Sequence, residues 1–356
     1  MTMDLLRRLC ETPGIAGHED QVRAVAIDAL RPLAGDVRTD VMGNVIATWA
    51  GRGGPRIMLA AHMDEIGFLV RHIDERGFLR LQPVGSFDPR VLLAQRVVVH
   101  GHDGRRYPGS IQTTAHPLHF APPPASYRPA LDDLYVDLGM GPDRVHACVE
   151  IGCMVTLDRA FTQTGECVIS KALDDRLGLY VMIEALRAMG ESDAEIVAVA
   201  TSQEEVGSRG AVPAAFALEP DIAIALDLTI ANDVPGDEGE PITALGKGPA
   251  IKVFDTTQLS HPWLVRRSRA VAEEHGIPYQ LEVLNHGGTD ASLIQRTRAG
   301  VAVITLSIPA RYLHTVNETA HLDDIAHTIQ LLARFLETMD AAAFQAMMSG
   351  GAGSIV

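Results

Sequence analysis

The stretch Arg56-Ile57-Met58-Leu59-Ala60-Ala61 runs without a break into His62-Met63-Asp64-Glu65. Its apolar residues have the length and character of a strand buried on both faces, and a histidine and two acids stand at its end. Three other runs finish the same way. Ile196 to Ala200 leads through Thr201-Ser202-Gln203 to Glu204-Glu205; Asp221-Ile222-Ala223-Ile224-Ala225-Leu226 delivers Asp227; and Val301 to Ile308 is followed, after a short proline-bearing loop, by Arg311-Tyr312-Leu313-His314. Open parallel sheets bind ligands at the carboxyl ends of their strands, so these side chains are placed to converge. Asp174, in Lys171-Ala172-Leu173-Asp174-Asp175-Arg176, opens a helix-like segment and adds one more acid.

Around these runs the chain alternates helix and strand. Glu19 to Leu30 has amphipathic spacing and stops before Pro32; Arg38 to Trp49 reads as strand broken by Met42-Gly43-Asn44. Between about Gly67 and Gly165 short alternating runs recur with glycine turns and no helix, which indicates an all-β domain inserted into an α/β chain. Within it Thr113 to Pro129 holds Pro117, Pro122, Pro123, Pro124 and Pro129, an irregular loop able to reach over a substrate pocket, with His116 and His119 exposed. After the insert, helices are expected over Asp174 to Met189, Pro262 to His275, Asp290 to Arg298 and Asp323 to Met339. Asp175 reads as a helix N-terminal or salt-bridge residue, Asp290 and Thr289 as helix caps, and His286 and the remaining histidines fall outside the site.

With 356 residues, 47% of them hydrophobic, the chain can bury a large core and form more than one domain. Its formal charge of -15 argues against nucleic acid as partner, because phosphate binding needs basic patches. The N-terminus has no apolar stretch of a signal peptide, and no segment approaches the ~20 apolar residues that span a bilayer. A cytoplasmic protein is expected, with Cys10, Cys148, Cys153 and Cys167 as structural thiols.

An isolated Glu-Glu pair is ordinarily a solvated loop. Here Glu204 and Glu205 follow a buried run, and in extended backbone neighbouring side chains point to opposite faces, so one can bind metal while the other handles a proton. A single hydrolytic zinc needs three protein ligands and an open position, and His62, Asp174, Glu205, Asp227 and His314 are too many for one ion. Five suffice for two ions about 3.5–4 Å apart that share a carboxylate and a water. Glu204 is then left free as general base and acid.

These same stretches resemble the motifs of the M42 family of metallo-aminopeptidases: Ala60-Ala61-His62-Met63-Asp64-Glu65-Ile66-Gly67, Lys171-Ala172-Leu173-Asp174-Asp175-Arg176-Leu177-Gly178 and Gln203-Glu204-Glu205-Val206-Gly207. Ala225-Leu226-Asp227-Leu228-Thr229, Gly246-Lys247-Gly248-Pro249, Gly288-Thr289-Asp290-Ala291, Arg311-Tyr312-Leu313-His314 and, near the start, Pro13-Gly14-Ile15-Ala16-Gly17-His18-Glu19 extend the likeness over nearly the whole chain. The resemblance implies that His62 and Asp227 hold one metal, Glu205 and His314 the other, and Asp174 bridges them. It also implies Glu204 as catalytic acid/base and Asp64 as the residue orienting His62. Thr315 stands where serine is commoner, a departure that touches no ligand.

The fold expected is therefore α/β: a mixed-sheet α/β/α dinuclear metallopeptidase domain, residues 1–66 and 166–356, with an inserted all-β domain, 67–165, serving oligomerisation and substrate access. The resemblance further implies two divalent ions per subunit, zinc or cobalt ahead of manganese, short peptide substrates, and homo-oligomers up to tetrahedral dodecamers. The rival readings are a two-metal carboxypeptidase or deacylase, a glycoside hydrolase, and a non-catalytic, metal-storing scaffold. A glycosidase leaves the histidines unexplained and needs carboxyls flanking a bond across about 5–9.5 Å; storage leaves Glu204 without a role.

Overall fold

In the computed structural model, which describes residues 3–114, 128–236 and 239–350, the four apolar runs lie side by side. Strands Glu195–Thr201, Arg56–His62, Ile222–Ile230 and Ala302–Arg311 are neighbours in that order and all parallel. Their register sets His62 opposite Thr201, so the chain emerges toward Glu204 beside the histidine. Antiparallel strands extend the sheet on both sides: Val45–Trp49 and Asp36–Thr39 beyond Glu195–Thr201, and Glu318–His321, Cys167–Ser170 and Thr162–Thr164 beyond Ala302–Arg311. The result is the mixed α/β sheet that the sequence implies.

Both faces are covered, and the period of two explains how. Ile57, Leu59 and Ala61, with Ile196, Ala198, Ile222, Ile224, Ile304 and Leu306, pack under helices Asp20–Leu30, Leu173–Ala188, Pro262–Glu274 and Leu322–Glu337. The intervening Met58, Ala60, Val197, Val199, Ala223 and Ala225 meet the shorter segments Ala211–Leu218 and Ala291–Ile294 on the other face. A one-residue slip would exchange the two sets, and each buried leucine or isoleucine contributes about 1.5–3 kcal/mol. The register is therefore strongly held.

Between Arg56–His62 and Cys167–Ser170 the chain makes a closed six-stranded barrel, in the order Gly67–Ile73, Leu79–Val84, Leu134–Asp137, Arg106–Thr113, Arg96–His100 and Met154–Leu157. It has a core of its own, including Phe68, Val97, Val99, Ile111, Val136 and Val155, and closure removes its sheet edges. Thr162–Thr164 already pairs with the large sheet. The barrel segment is not free of helix: Pro89–Leu92 and Pro142–His146 each form about a turn opened by proline, too short to leave a periodic pattern. The loop holding His116 and His119 lies mostly outside the described residues.

Two other segments differ from the sequence reading. Asp4–Glu11 is a helix that buries Leu6, Leu9 and Cys10, a single amphipathic stripe of three residues. The helix expected over Asp290 to Arg298 is α-helical only over Ala291–Ile294, and Arg298 has a left-handed φ of 54°. Cys10, Cys148 and Cys153 are buried free thiols. Among the described residues no helix is long and apolar enough to cross a membrane.

Candidate metal centre

At the carboxyl ends of the parallel strands His62, Asp174, Glu204, Glu205, Asp227 and His314 line one cavity of about 250 Å³. His62 closes its strand, Asp227 lies within Ile222–Ile230, and His314 follows Ala302–Arg311 by three residues. Asp174 enters from the start of Leu173–Ala188 with extended backbone, φ -77° and ψ 111°. Every ligand named from the sequence reaches the cavity. Leu228, Ile230, Leu284 and Leu313 supply apolar wall, and Lys252 and His286 line it as well. His286 has no ligand-like context in the sequence and reads there as outside the site, but the glycine turn His286-Gly287-Gly288 carries it to the wall.

Asp174 lies between the two histidines. Its Oδ1 is 3.2 Å from His62 Nε2 and its Oδ2 is 3.5 Å from His314 Nε2. Each imidazole points Nδ1 at a main-chain carbonyl, His62 at Asp64 (3.0 Å) and His314 at Ser86 (2.9 Å). Donation there leaves Nε2 as the free nitrogen facing the cavity. The carboxylate of Asp64 stands farther from His62 Nδ1, at 3.6 Å. Glu205 Oε1 is 3.7 Å from His314 Nε2. Glu204 turns elsewhere: its Oε1 accepts from Ser208 Oγ at 2.9 Å and its Oε2 lies 3.9 Å from His62 Nε2.

The backbone of these residues is held by acids that are not part of the cavity lining. Asp64, fully buried, accepts from the amides of Glu204 (2.9 Å) and Glu205 (3.1 Å) through separate oxygens. Glu19 accepts from Gln203 N at 3.1 Å and Gly17 N at 2.9 Å, which ties the opening motif to the loop before the glutamates. Asp175 accepts from His62 N at 3.1 Å and Gly178 N at 3.0 Å, a helix N-terminal role with both oxygens engaged. Glu318 accepts from Asp174 N and His314 N. Asp290 has no capping bond; its carboxylate instead accepts from Thr201 Oγ1, while Ala291 N donates to Thr289 at 3.3 Å.

So many buried acids cannot all stay ionised without cations. Burial, reinforced by the charge of Asp174, pushes Glu205 and Asp227 well above the carboxylate range. Burial raises Glu204 to about 7 against the opposing pull of His62. For Asp174 burial acts upward but is outweighed by hydrogen bonds from His314 and His62, and the carboxyl is held low. Burial opposes the charged form of His314 too, yet Asp174 and Glu205 raise it to about 10; Asp174 and Asp64 raise His62 in the same way. Protons here do what metal ions would do. Ligand atoms of His62, Asp174 and Glu205, and separately of His62, Asp175 and Asp227, lie within 4.8 Å of one another, and imidazoles with carboxylates suit divalent transition ions.

A family model described as M42 glutamyl aminopeptidase matches residues 43–331. The lysyl aminopeptidase of Pyrococcus furiosus is 38% identical over 341 residues, covering 94% of this chain and 97% of the relative. Among solved structures, the aminopeptidase APDkam598 of the archaeon Desulfurococcus kamchatkensis superposes with a TM-score of 0.93 at 37% identity, over 99% of this chain and 98% of that one. The TET1 peptidase of Pyrococcus horikoshii, which can assemble into a tetrahedron or a large octahedral shell, gives 0.84 at 32% identity over 94% and 99%.

Proposed function

Because this chain belongs to the M42 family of aminopeptidases, and is thus a peptidase, we propose that it removes the N-terminal residue of short peptides with two divalent ions. The observation that carries this reading is the convergence of two imidazoles and three carboxylates on one cavity beside an unengaged Glu204 oxygen. His62 and Asp227 would hold one ion, Glu205 and His314 the other, and Asp174, with one oxygen toward each histidine, would serve both. Zinc and cobalt fit this donor set ahead of manganese.

When bound, such ions act as Lewis acids and lower the pKa of water. Glu204 takes a proton from the attacking water and returns it to the leaving amine. Ser208 holds one Glu204 oxygen and leaves the other facing the cavity. Asp64 fixes both glutamates through their amides. The free α-amine of a peptide would approach the ions at this end of the cavity, which an acylated nitrogen could not do as well. A terminal carboxylate, as in a carboxypeptidase substrate, would need a free cation, and Lys252 is already paired with Asp255 (3.3 Å) and Glu282 (3.7 Å). The cavity, about 250 Å³, suits a chain terminus rather than a folded substrate. By likeness to the TET1 peptidase, this chain forms a homo-oligomer, up to a tetrahedral dodecamer.

The test is a panel of aminoacyl chromogenic substrates after reconstitution of the stripped protein with zinc, cobalt or manganese, run beside N-acetylated counterparts. Hydrolysis confined to free amines supports the reading. Equal or faster cleavage of the acetylated compounds would move the assignment to a deacylase.

A further inference from the structure

Glu318 opens the strand Glu318–His321 and is 2% exposed, yet among the described residues no cation lies within ion-pair distance of it. A buried carboxylate without a countercharge is costly unless its hydrogen bonds are excellent. Its two oxygens are divided between two chain segments: Oε1 accepts from His314 N at 2.8 Å and Oε2 from Asp174 N at 3.1 Å. Both segments have unfavourable backbone nearby, since His314 has φ 58° and Ala172, two residues before Asp174, has φ 56°. Non-glycine residues hold such conformations only when their surroundings impose them.

We infer that Glu318 is a positioning residue for one of the two ion sites, the one formed by Asp174, Glu205 and His314. Resting on the two-ion reading above, the inference gives this side chain the task of fixing the separation of two ligands 140 residues apart. His62, the histidine of the other site, is held independently by Asp175. Loss of the Glu318 carboxylate loosens His314, which serves one site, and Asp174, which serves both, so the His314 site weakens more than the His62 site.

The experiment titrates chelator-stripped full-length protein with cobalt(II), followed by its visible absorption and by calorimetry, for the wild type and Glu318→Gln. Glutamine keeps the shape but turns its carboxamide NH2, a donor, toward one of the two backbone N–H groups that Glu318 accepts. One binding step of the variant is expected to weaken about 10- to 100-fold, the range for residues supporting metal ligands, while the other, which shares only Asp174, weakens by a factor at least about fivefold smaller. At saturating cobalt kcat recovers, with KM unchanged. Thermal unfolding of the stripped proteins identifies a variant that does not fold; Glu318→Asp, which retains the carboxyl but is too short to reach both amides, then takes its place and should weaken the same step most. A wild type that binds only one ion sinks the two-ion reading and this inference with it. A wild type that binds two, with variants in which both steps weaken equally or neither step shifts, overturns the role of Glu318 alone.

Discussion

Replacing Glu204 by glutamine separates proton transfer from metal binding. The amide is nearly isosteric and its oxygen can still accept the 2.9 Å bond from Ser208 Oγ, so the side chain should stay in place. Its backbone remains tied to Asp64 at 2.9 Å. None of the five proposed ligands is changed, and metal content should remain at two ions. What disappears is the basic oxygen on the cavity side, 3.9 Å from His62 Nε2. General acid-base groups contribute about 10²- to 10⁴-fold, or about 2.7–5.5 kcal/mol of barrier at ~1.36 kcal/mol per decade. Steady-state kinetics on an aminoacyl substrate, with metal measured on the same sample, should show kcat down by that factor and KM little changed, the pattern of a group that acts only in the transition state. Turnover within threefold of wild type, at full metal content, would remove Glu204 from the chemistry.

Three further outcomes follow from the same geometry. With His62 raised and His314 at about 10 in the metal-free protein, both imidazoles carry protons at neutral pH that binding must displace; calorimetry in buffers of different ionisation enthalpy should show proton release, and affinity should fall as pH is lowered from 8 to 6. A pH-independent affinity would contradict this. Asp64→Asn keeps one acceptor for the amides of Glu204 and Glu205 and loses the other, a charge-assisted bond worth about 1.5–3 kcal/mol; unlike Glu204→Gln, it should lower both metal affinity and unfolding temperature. Gly85 has φ 89°, and an added Cβ would meet Ile66 Cγ2 at 2.6 Å and Glu205 Oε2 at 3.3 Å, so Gly85→Ala should destabilise by roughly 1–3 kcal/mol in thermal or urea unfolding and displace Glu205, with weaker metal binding by titration.

The parallel centre of the sheet was legible because its strands are buried on both faces, so hydrophobic content alone outlines Arg56 to Ala61 or Asp221 to Leu226. Of the five residues proposed as ligands, four stand at or just after the end of such a run and Asp174 stands at the opening of a helix-like segment, positions the sequence itself marks out. Short or irregular elements were not. Pro89–Leu92 and Pro142–His146 each span about one turn, less than a period can show. Asp290 looked like a helix cap by position, but in the fold Thr201 lies close enough to take its carboxylate. That competition is between segments 89 residues apart, and local sequence carries no trace of it. His286 reaches the cavity on a glycine turn, where neither periodicity nor strand length offers a signal.

The harder distinction is among the acids themselves. Asp174 and Asp175 are adjacent, the first half-buried and the second fully buried, and their chemistry is identical. One offers its oxygens to the histidine side chains, the other to the amides of His62 and Gly178. Glu19, Asp64 and Glu318 make the same choice as Asp175. A carboxylate that accepts two backbone N–H groups has half of its lone-pair sites occupied and its orientation fixed by the main chain, whereas Asp174 meets only side chains and Asp227 accepts only Leu228 N, through Oδ1 at 2.7 Å, leaving Oδ2 for an ion. The difference lies in where neighbouring amides point, and therefore in the fold. It also implies why the centre can be rigid while much of its backbone is irregular: the loops bearing Glu204, Glu205, Asp174 and His314 lack continuous ladder bonds, and buried carboxylates replace them. Each such acid adds negative charge beside the ligands, which deepens the need for cations in the cavity. The stiffness of the site and its demand for metal thus have a common origin.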